Sequence, residues 1–385
     1  NSPYVIMKGV NMDDVTLTSG FWAGRFEVCK ETMVPFMWNI LNDAEVSHSF
    51  RNFEIASGRA EGHHHGPPFH DGDFYKWFES LIAIYMQTKS PEQDAQMDKI
   101  IKVISESQRA DGYIHTPVII EQRNATESKQ KFEFRERLDF ETYNMGHLMT
   151  AAALHYRATG KTTLLEIAKK SADFLIDFYE RDPEGLAQNA ICPSHYMGVI
   201  ELYRTTGDKK YLELGRNLID IRDFVRNGTD HNQDRIPFRQ QDKAIGHAVR
   251  ANYLYAGVAD LVAETGDSTL FRPLTLIWDD LVNHKLYITG GCGALYDGVS
   301  PDGTTYNQPY IQQIHQAYGR EYQLPNSTAH NESCANIGNM LWNWRMLMMT
   351  GQPKYAELVE HTLYNSVLSA VSLDGKRYFY TNPLR

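Results

Sequence analysis

The sequence predicts an all-α fold, an (α/α)6 barrel entered through a short β segment, on three observations. Apolar residues recur three and four apart through most of the 385-residue chain, which is the spacing of one helix face. Four connections share a Thr-Gly-polar signature: Thr159-Gly160-Lys161, Thr206-Gly207-Asp208, Thr265-Gly266-Asp267 and Thr350-Gly351-Gln352. These turns recur at unequal intervals, so the unit is a helical hairpin whose outer connections vary in length. A closed ring with enlarged loops fits that pattern better than an open solenoid of equal repeats.

In chain order, Tyr4 to Thr18 alternates like a strand, so residues 1–20 are expected to form an N-terminal β segment and 21–385 the barrel domain. Helices are expected near 25–43, 73–88, 92–108, 140–158, 164–180, 192–206, 210–226, 246–265, 268–285, 332–350 and 354–371. In each shared turn the glycine supplies a left-handed cap and the polar residue begins the next helix. Eleven helices are one fewer than six hairpins need, and the last residues are an aromatic run broken by Pro383. The chain is therefore expected to be truncated relative to the natural protein. The long connections 44–72, 109–139 and 286–331 are rich in Gly, His, Asp and Tyr, and are expected to wall a pocket at one rim.

Composition narrows the function. With 42% hydrophobic and 22% charged residues the chain can bury a large core. Its net charge of −10 is spread along the sequence and offers nothing to a phosphate backbone or an anionic lipid surface. No nucleic acid and no membrane are expected as partners, and no apolar run reaches the ~18 residues of a spanning helix. Asn1 to Gly9 lack the zones of a signal peptide, and a bacterial periplasm or cytoplasm is the expected compartment. Cys29, Cys192, Cys292 and Cys334 are too scattered for a disulfide framework and read as buried thiols unless another motif claims one. The many Tyr and Trp residues suit a carbohydrate site, where ring faces stack on sugars.

The segment Asn331-Glu332-Ser333-Cys334 opens an apolar helix. A carboxylate and a thiol at a helix N-terminus can face one metal, because the positive dipole end stabilises both anions. Zinc accepts both donor types but normally takes four ligands, so spacing alone favours a capping Glu beside a buried Cys. The histidines at 63, 64 and 65 are read as a solvated loop.

From His315 to Met346 the chain reads HQAYGREYQLPNSTAHNESCANIGNMLWNWRM. This resembles the signature of glycoside hydrolase family 127, the β-L-arabinofuranosidase family. Further similar runs, in the family's order, are Gly20 to Arg25, the Asp73 to Glu79 helix start, Gln108 to Tyr113, Gly246 to Ala251, Ile288 to Gly291 and Leu373 to Leu384. The resemblance implies a retaining glycosidase with a zinc held by one Glu and three Cys, one thiolate being the nucleophile. Glu332 and Cys334 match the Glu and first Cys. It implies that the remaining cysteines, an adjacent pair, lie beyond Asn382-Pro383-Leu384 together with the last helix and a β-sandwich domain. It also implies that Asp71, Asp73, His247, Glu360 and Tyr380 line the sugar site.

Two positions depart from the family. Gln316, in His315-Gln316-Ala317-Tyr318, stands where the family has the Glu that protonates the leaving oxygen, and Phe140 stands where a His is usual. Gln316 cannot donate an acidic proton. Activity is lost, or Glu321, Glu141 or His315 takes over as the acid, or the substrate supplies a carboxyl group; a neutral Gln316 also avoids repelling an acidic sugar. Glu141 is further taken as a substrate-binding residue. The expected partner is a plant cell-wall (pectic) oligosaccharide, β-L-arabinofuranoside-like or an aceric-acid-type acidic pentose, and a homodimer is compatible with the sequence. Two other classes stay open: a sugar epimerase or uronyl hydrolase on the same toroid, and a glycan-binding pseudoenzyme.

Overall fold

The computed structural model describes residues 2–125, 132–189, 195–300 and 313–385. Helix α1 (Gly20–Val28) passes through a π turn into α2 (Val34–Asn42), followed by α3 (Ser49–Ala56), α4 (His70–Thr88) and α5 (Pro91–Ser107). Next come α6 (Thr116–Asn124), α7 (Glu141–Thr159), α8 (Thr163–Arg181), α9 (Pro183–Asn189), α10 (His195–Thr206) and α11 (Lys209–Asp220). The train closes with α12 (Ala248–Thr265), α13 (Ser268–His284), α14 (Ser333–Thr350) and α15 (Pro353–Thr362). Every expected helix is present, the one placed at 192–206 being described from His195. Three short helices, α3, α6 and α9, occupy connections where no helix was expected, because each is too short to show a repeating apolar face.

Successive inner helices α4, α7, α10, α12 and α14 pack side by side, and each leads into an outer partner. The two sets differ in sequence for a physical reason. Helix α12 is buried at nearly every position, since it meets neighbours on all sides. Helix α8 buries one stripe, including Leu164, Ile167, Ala168, Ala172 and Leu175, and leaves its charges outside. Inner helices approach backbone to backbone at glycine: a Cβ on Gly198 of α10 would stand 2.1 Å from the carbonyl oxygen of Gly146 in α7.

The four Thr-Gly turns have one geometry. Each threonine hydroxyl donates to the carbonyl four residues back, as Thr159 does to His155 at 2.8 Å and Thr350 to Met346 at 2.7 Å. The same oxygen accepts the N–H two residues on, from Lys161 and from Gln352. Glycine between them is left-handed, with φ of 73° at Gly160 and 64° at Gly351.

The N-terminal segment differs from expectation. Among its described residues there is a 3-10 turn at Met12–Asp14 but no strand. It runs as a strap across helix ends, where Tyr4 N–H donates to Ala263 O at 3.1 Å and Ile6 N–H to Met348 O at 3.0 Å. Those carbonyls lie in the last turns of α12 and α14 and have no intrahelical donor, so they attract an extended backbone without any sheet. The strand-like alternation therefore reports packing on helix ends rather than pairing.

The one hairpin among the described residues pairs β1 (Leu295–Val299) with β2 (Gln313–Ala317), with Leu295 opposite Ala317 and Asp297 opposite His315. No described helix is long and apolar enough to cross a membrane.

Candidate active site

Glu332 is the N-cap of α14, and Cys334 lies in its first turn. The segment after α15 doubles back over this helix start. Ser333 N–H donates to Tyr380 O at 3.0 Å, and Asn382 Nδ2 donates to Asn331 O at 2.9 Å. Tyr380 is thereby carried beside Glu332, and burial together with that carboxylate's charge pushes the pKa of its hydroxyl up. On the other side His330 Nε2 stands 3.4 Å from Glu332 Oε2, both residues buried.

Gln316 reaches the same place from β2. Its Oε1 lies 2.9 Å from His247 Nε2 and its Nε2 3.4 Å from the Tyr380 hydroxyl. These contacts fix one another's direction. The Gln316 Nε2 amide can only donate, so the Tyr380 hydroxyl accepts from it and keeps its own proton free to face Glu332. Gln316 Oε1 must then accept, which makes His247 the neutral Nε2–H tautomer. Burial, helped by Arg250 and His231, holds the His247 pKa well below its usual range and keeps the ring neutral. His231, whose Nδ1 accepts from His315 N–H at 3.2 Å, is pushed down to about 3 by burial and Arg250. Gln316 and Asn331 have φ of 51° and 47°. Left-handed backbone at non-glycine residues is uncommon and concentrates at functional sites.

A third group comes from the long connections. Phe69 packs edge-on against Phe140 with ring centroids 5.2 Å apart, Phe140 meets Tyr143 at 5.9 Å, and Arg250 lies 5.9 Å over Phe140. Lys76 bonds the Tyr143 hydroxyl and pairs with Asp73 at 2.9 Å. Burial opposes the Lys76 charge, but Tyr143 and Asp73 outweigh it and raise its pKa, with a contribution from Cys334. Cys334 itself is pushed up to about 12 by burial and by Glu332.

The residues expected from sequence thus divide. Glu332, Cys334, Gln316, His247 and Tyr380 meet. Asp73 joins through Lys76, a residue that sequence reading did not single out for the site. Asp71 is buried and turned away: its two oxygens accept from Thr116 N–H at 2.7 Å and Thr116 Oγ1 at 2.6 Å. Glu141 is likewise buried, accepting from the Tyr113 hydroxyl and Phe134 N–H. Both acids anchor the connections that wall the site, because a buried carboxylate must be satisfied by the nearest donors. Glu360 is exposed on α15, outside the side chains that meet at Glu332. Glu321 belongs to another group, with Asp280 and His284. Sequence reading missed His330 beside the carboxylate and Tyr296, whose ring packs 5.4 Å from that of His330; His330 is two residues before Glu332, which was the available signal. Cys192 lies outside the described residues.

A family profile described as the β-L-arabinofuranosidase, glycoside hydrolase family 127 catalytic domain matches residues 14–385. The chain belongs to glycoside hydrolase family 127. The family-127 chain is 31% identical to the non-reducing end β-L-arabinofuranosidase of Bifidobacterium longum subsp. longum, over 96% of its own length and 59% of the relative's. A solved family-127 β-L-arabinofuranosidase from Geobacillus stearothermophilus T6 is 31% identical, with a TM-score of 0.83, covering 96% of this chain and 58% of that one. A structure titled simply glycoside hydrolase is 56% identical at a TM-score of 0.83, over 100% of this chain and 55% of the other. The chain thus spans under three fifths of these relatives. A sugar epimerase from a ruminal bacterium, 12% identical at a TM-score of 0.54, shares the (α/α)6 toroid alone.

For a member of family 127, the zinc expected from the resemblance can be set against these donors. Glu332 and Cys334 offer a carboxylate oxygen and a sulfur, both acceptable to zinc. Burial, with the Glu332 charge adding to it, keeps the thiol protonated, and a divalent cation between them is what would let both be anionic. The chemistry of the pair fits. Among the described residues no third His, Cys, Asp or Glu completes a cluster with them.

Proposed function

We propose that the protein is a retaining glycoside hydrolase acting on a plant cell-wall pentose linkage, and that the reacting sugar sits where Glu332, Cys334, Tyr380, Gln316 and His247 converge. That convergence, from four separate stretches of chain, is the observation that supports the reading. Glu332 and Cys334 would hold zinc, whose charge keeps bound thiolates ionised near neutral pH. In this reading the nucleophile is a thiolate of the adjacent cysteine pair that the family resemblance implies; residues 1–385 contain no adjacent cysteines. Tyr380 fixes the Glu332 carboxylate, and the relay through Gln316 to His247 sets both side chains.

The substrate we favour is the acidic branched pentose of pectin over the neutral arabinofuranoside. Gln316 supplies no acidic proton. Glu141 is engaged with Tyr113 and Phe134, His315 with Asp297, and Glu321 stands in the separate group with Asp280 and His284. The leaving oxygen then takes its proton from the substrate's own carboxyl group. Arg250, whose charge reaches His247, and Lys76, whose charge reaches Cys334, are the cations that favour such a sugar, and the neutral Gln316 does not oppose it. The test is to incubate the intact protein with pectic side-chain oligosaccharides and with an aryl β-L-arabinofuranoside, and to identify the released sugar and its anomeric configuration. Release of an acidic pentose is expected. Hydrolysis of the neutral arabinofuranoside alone would overturn the acidic-sugar reading. Binding without turnover would favour a glycan-binding pseudoenzyme, the second reading that Gln316 motivates.

A further inference from the structure

Asp280, His284 and Glu321 form a second cluster that shares no residue with the site above. Asp280 and His284 lie one turn apart near the end of α13, so their side chains share a face. Glu321 comes from the turn that follows β2. One donor atom from each lies within 4.8 Å of the others, and His284 Nδ1 is 3.3 Å from Asp280 Oδ1. Asp280 is held in place from behind: its Oδ2 accepts from Lys285 Nζ and from Ala244 N–H, each at 2.8 Å. That leaves Oδ1 turned toward His284. The turn carrying Glu321 is tied to the helix end, since Tyr322 N–H donates to His284 O at 2.9 Å and the two rings meet edge-on at 5.4 Å.

We propose that Asp280, His284 and Glu321 bind a divalent transition cation of the zinc class, which staples the turn after β2 to α13 and so steadies the strand bearing Gln316. Two carboxylate oxygens and one imidazole nitrogen make an acceptable shell for such an ion. Glu321 is exposed, so its side chain can rotate inward to complete the set and solvent can fill the remaining position. Lys285 already offsets the charge of Asp280, which makes His284 and Glu321 the ligands that decide affinity.

Cobalt(II) is a suitable probe, because a sulfur ligand gives it a charge-transfer band and an all-nitrogen-and-oxygen shell does not. The metal-stripped intact protein carrying Cys334→Ser should take up a cobalt ion saturably that adds visible d–d bands without adding to the charge-transfer band of the implied cysteine pair. Adding Glu321→Gln or His284→Gln should weaken that uptake by more than the roughly tenfold that even an outer-shell partner costs. Both changes are at the surface and leave the core untouched. Absence of uptake free of a charge-transfer band in the Cys334→Ser protein, or such uptake unaffected by both further changes, would overturn the proposal.

Discussion

Glu141→Gln should raise stability relative to the parent protein progressively as pH increases from about 5 to about 8. The carboxyl sits at the start of α7, where Oε1 accepts from the Tyr113 hydroxyl at 2.5 Å and the Phe134 N–H lies 3.0 and 2.9 Å from its two oxygens. Burial pushes its pKa up to about 8; Tyr113 and Phe134 restrain that rise, and Asp139 and Glu133 add to it. In the unfolded chain the same group titrates near 4.3. Because the folded value is the higher one, the native state holds a proton that the unfolded state has released. The stabilisation is fully present below about pH 4 and is lost as pH rises through about 8. Each pH unit of that window is worth about 1.4 kcal/mol, which sets an upper limit of about 5 kcal/mol across it. Glutamine has no such equilibrium. Its amide can accept from Phe134 and donate to Tyr113, at a pH-independent cost of about 1 kcal/mol for the altered bond. Urea unfolding of both proteins at about pH 5, 6.5 and 8 measures the difference. Glu79, raised to about 8, and Asp71, raised to about 6, are common to both proteins and cancel. A stability difference that does not change with pH would refute the reasoning.

Other expectations concern packing and metal. Gly198→Ala should cost about 1–3 kcal/mol, because its Cβ meets backbone that cannot step aside. Gly24→Ala in α1 has open space around it and should be neutral or slightly stabilising; equal melting temperatures for the two variants would contradict the close helix approach. Tyr380→Phe removes the hydroxyl between Gln316 and Glu332 and should lower zinc affinity about 10–100-fold in the intact protein, as read by competition with a chromophoric chelator. Stripping the metal should abolish sugar release, with recovery on adding zinc but not magnesium, which prefers oxygen ligands and avoids thiolate.

Local physics made the helices readable. The Thr-Gly turns announced themselves because the hydroxyl, the left-handed glycine and the following polar residue all act within a few neighbouring residues. The strap at Tyr4 to Met7 misled because its partners are carbonyls in the last turns of α12 and α14, some 250 residues or more away in the chain. Glu332 and Cys334 could be found as a pair because they share one helix turn. Gln316 was noticed by its departure from a family pattern, yet nothing in the chain said that it would bridge His247 and Tyr380.

Sequence by itself determined the helical hairpins, the toroid and the family, since periodicity, caps and contiguous motifs are written in neighbouring residues. Only the tertiary structure decided which acids face the site. Asp71 and Glu141 are as acidic in sequence as Glu332, but the cost of burying a carboxylate turns each toward the nearest hydroxyl and amide donors, and where those donors lie is fixed by how distant segments pack.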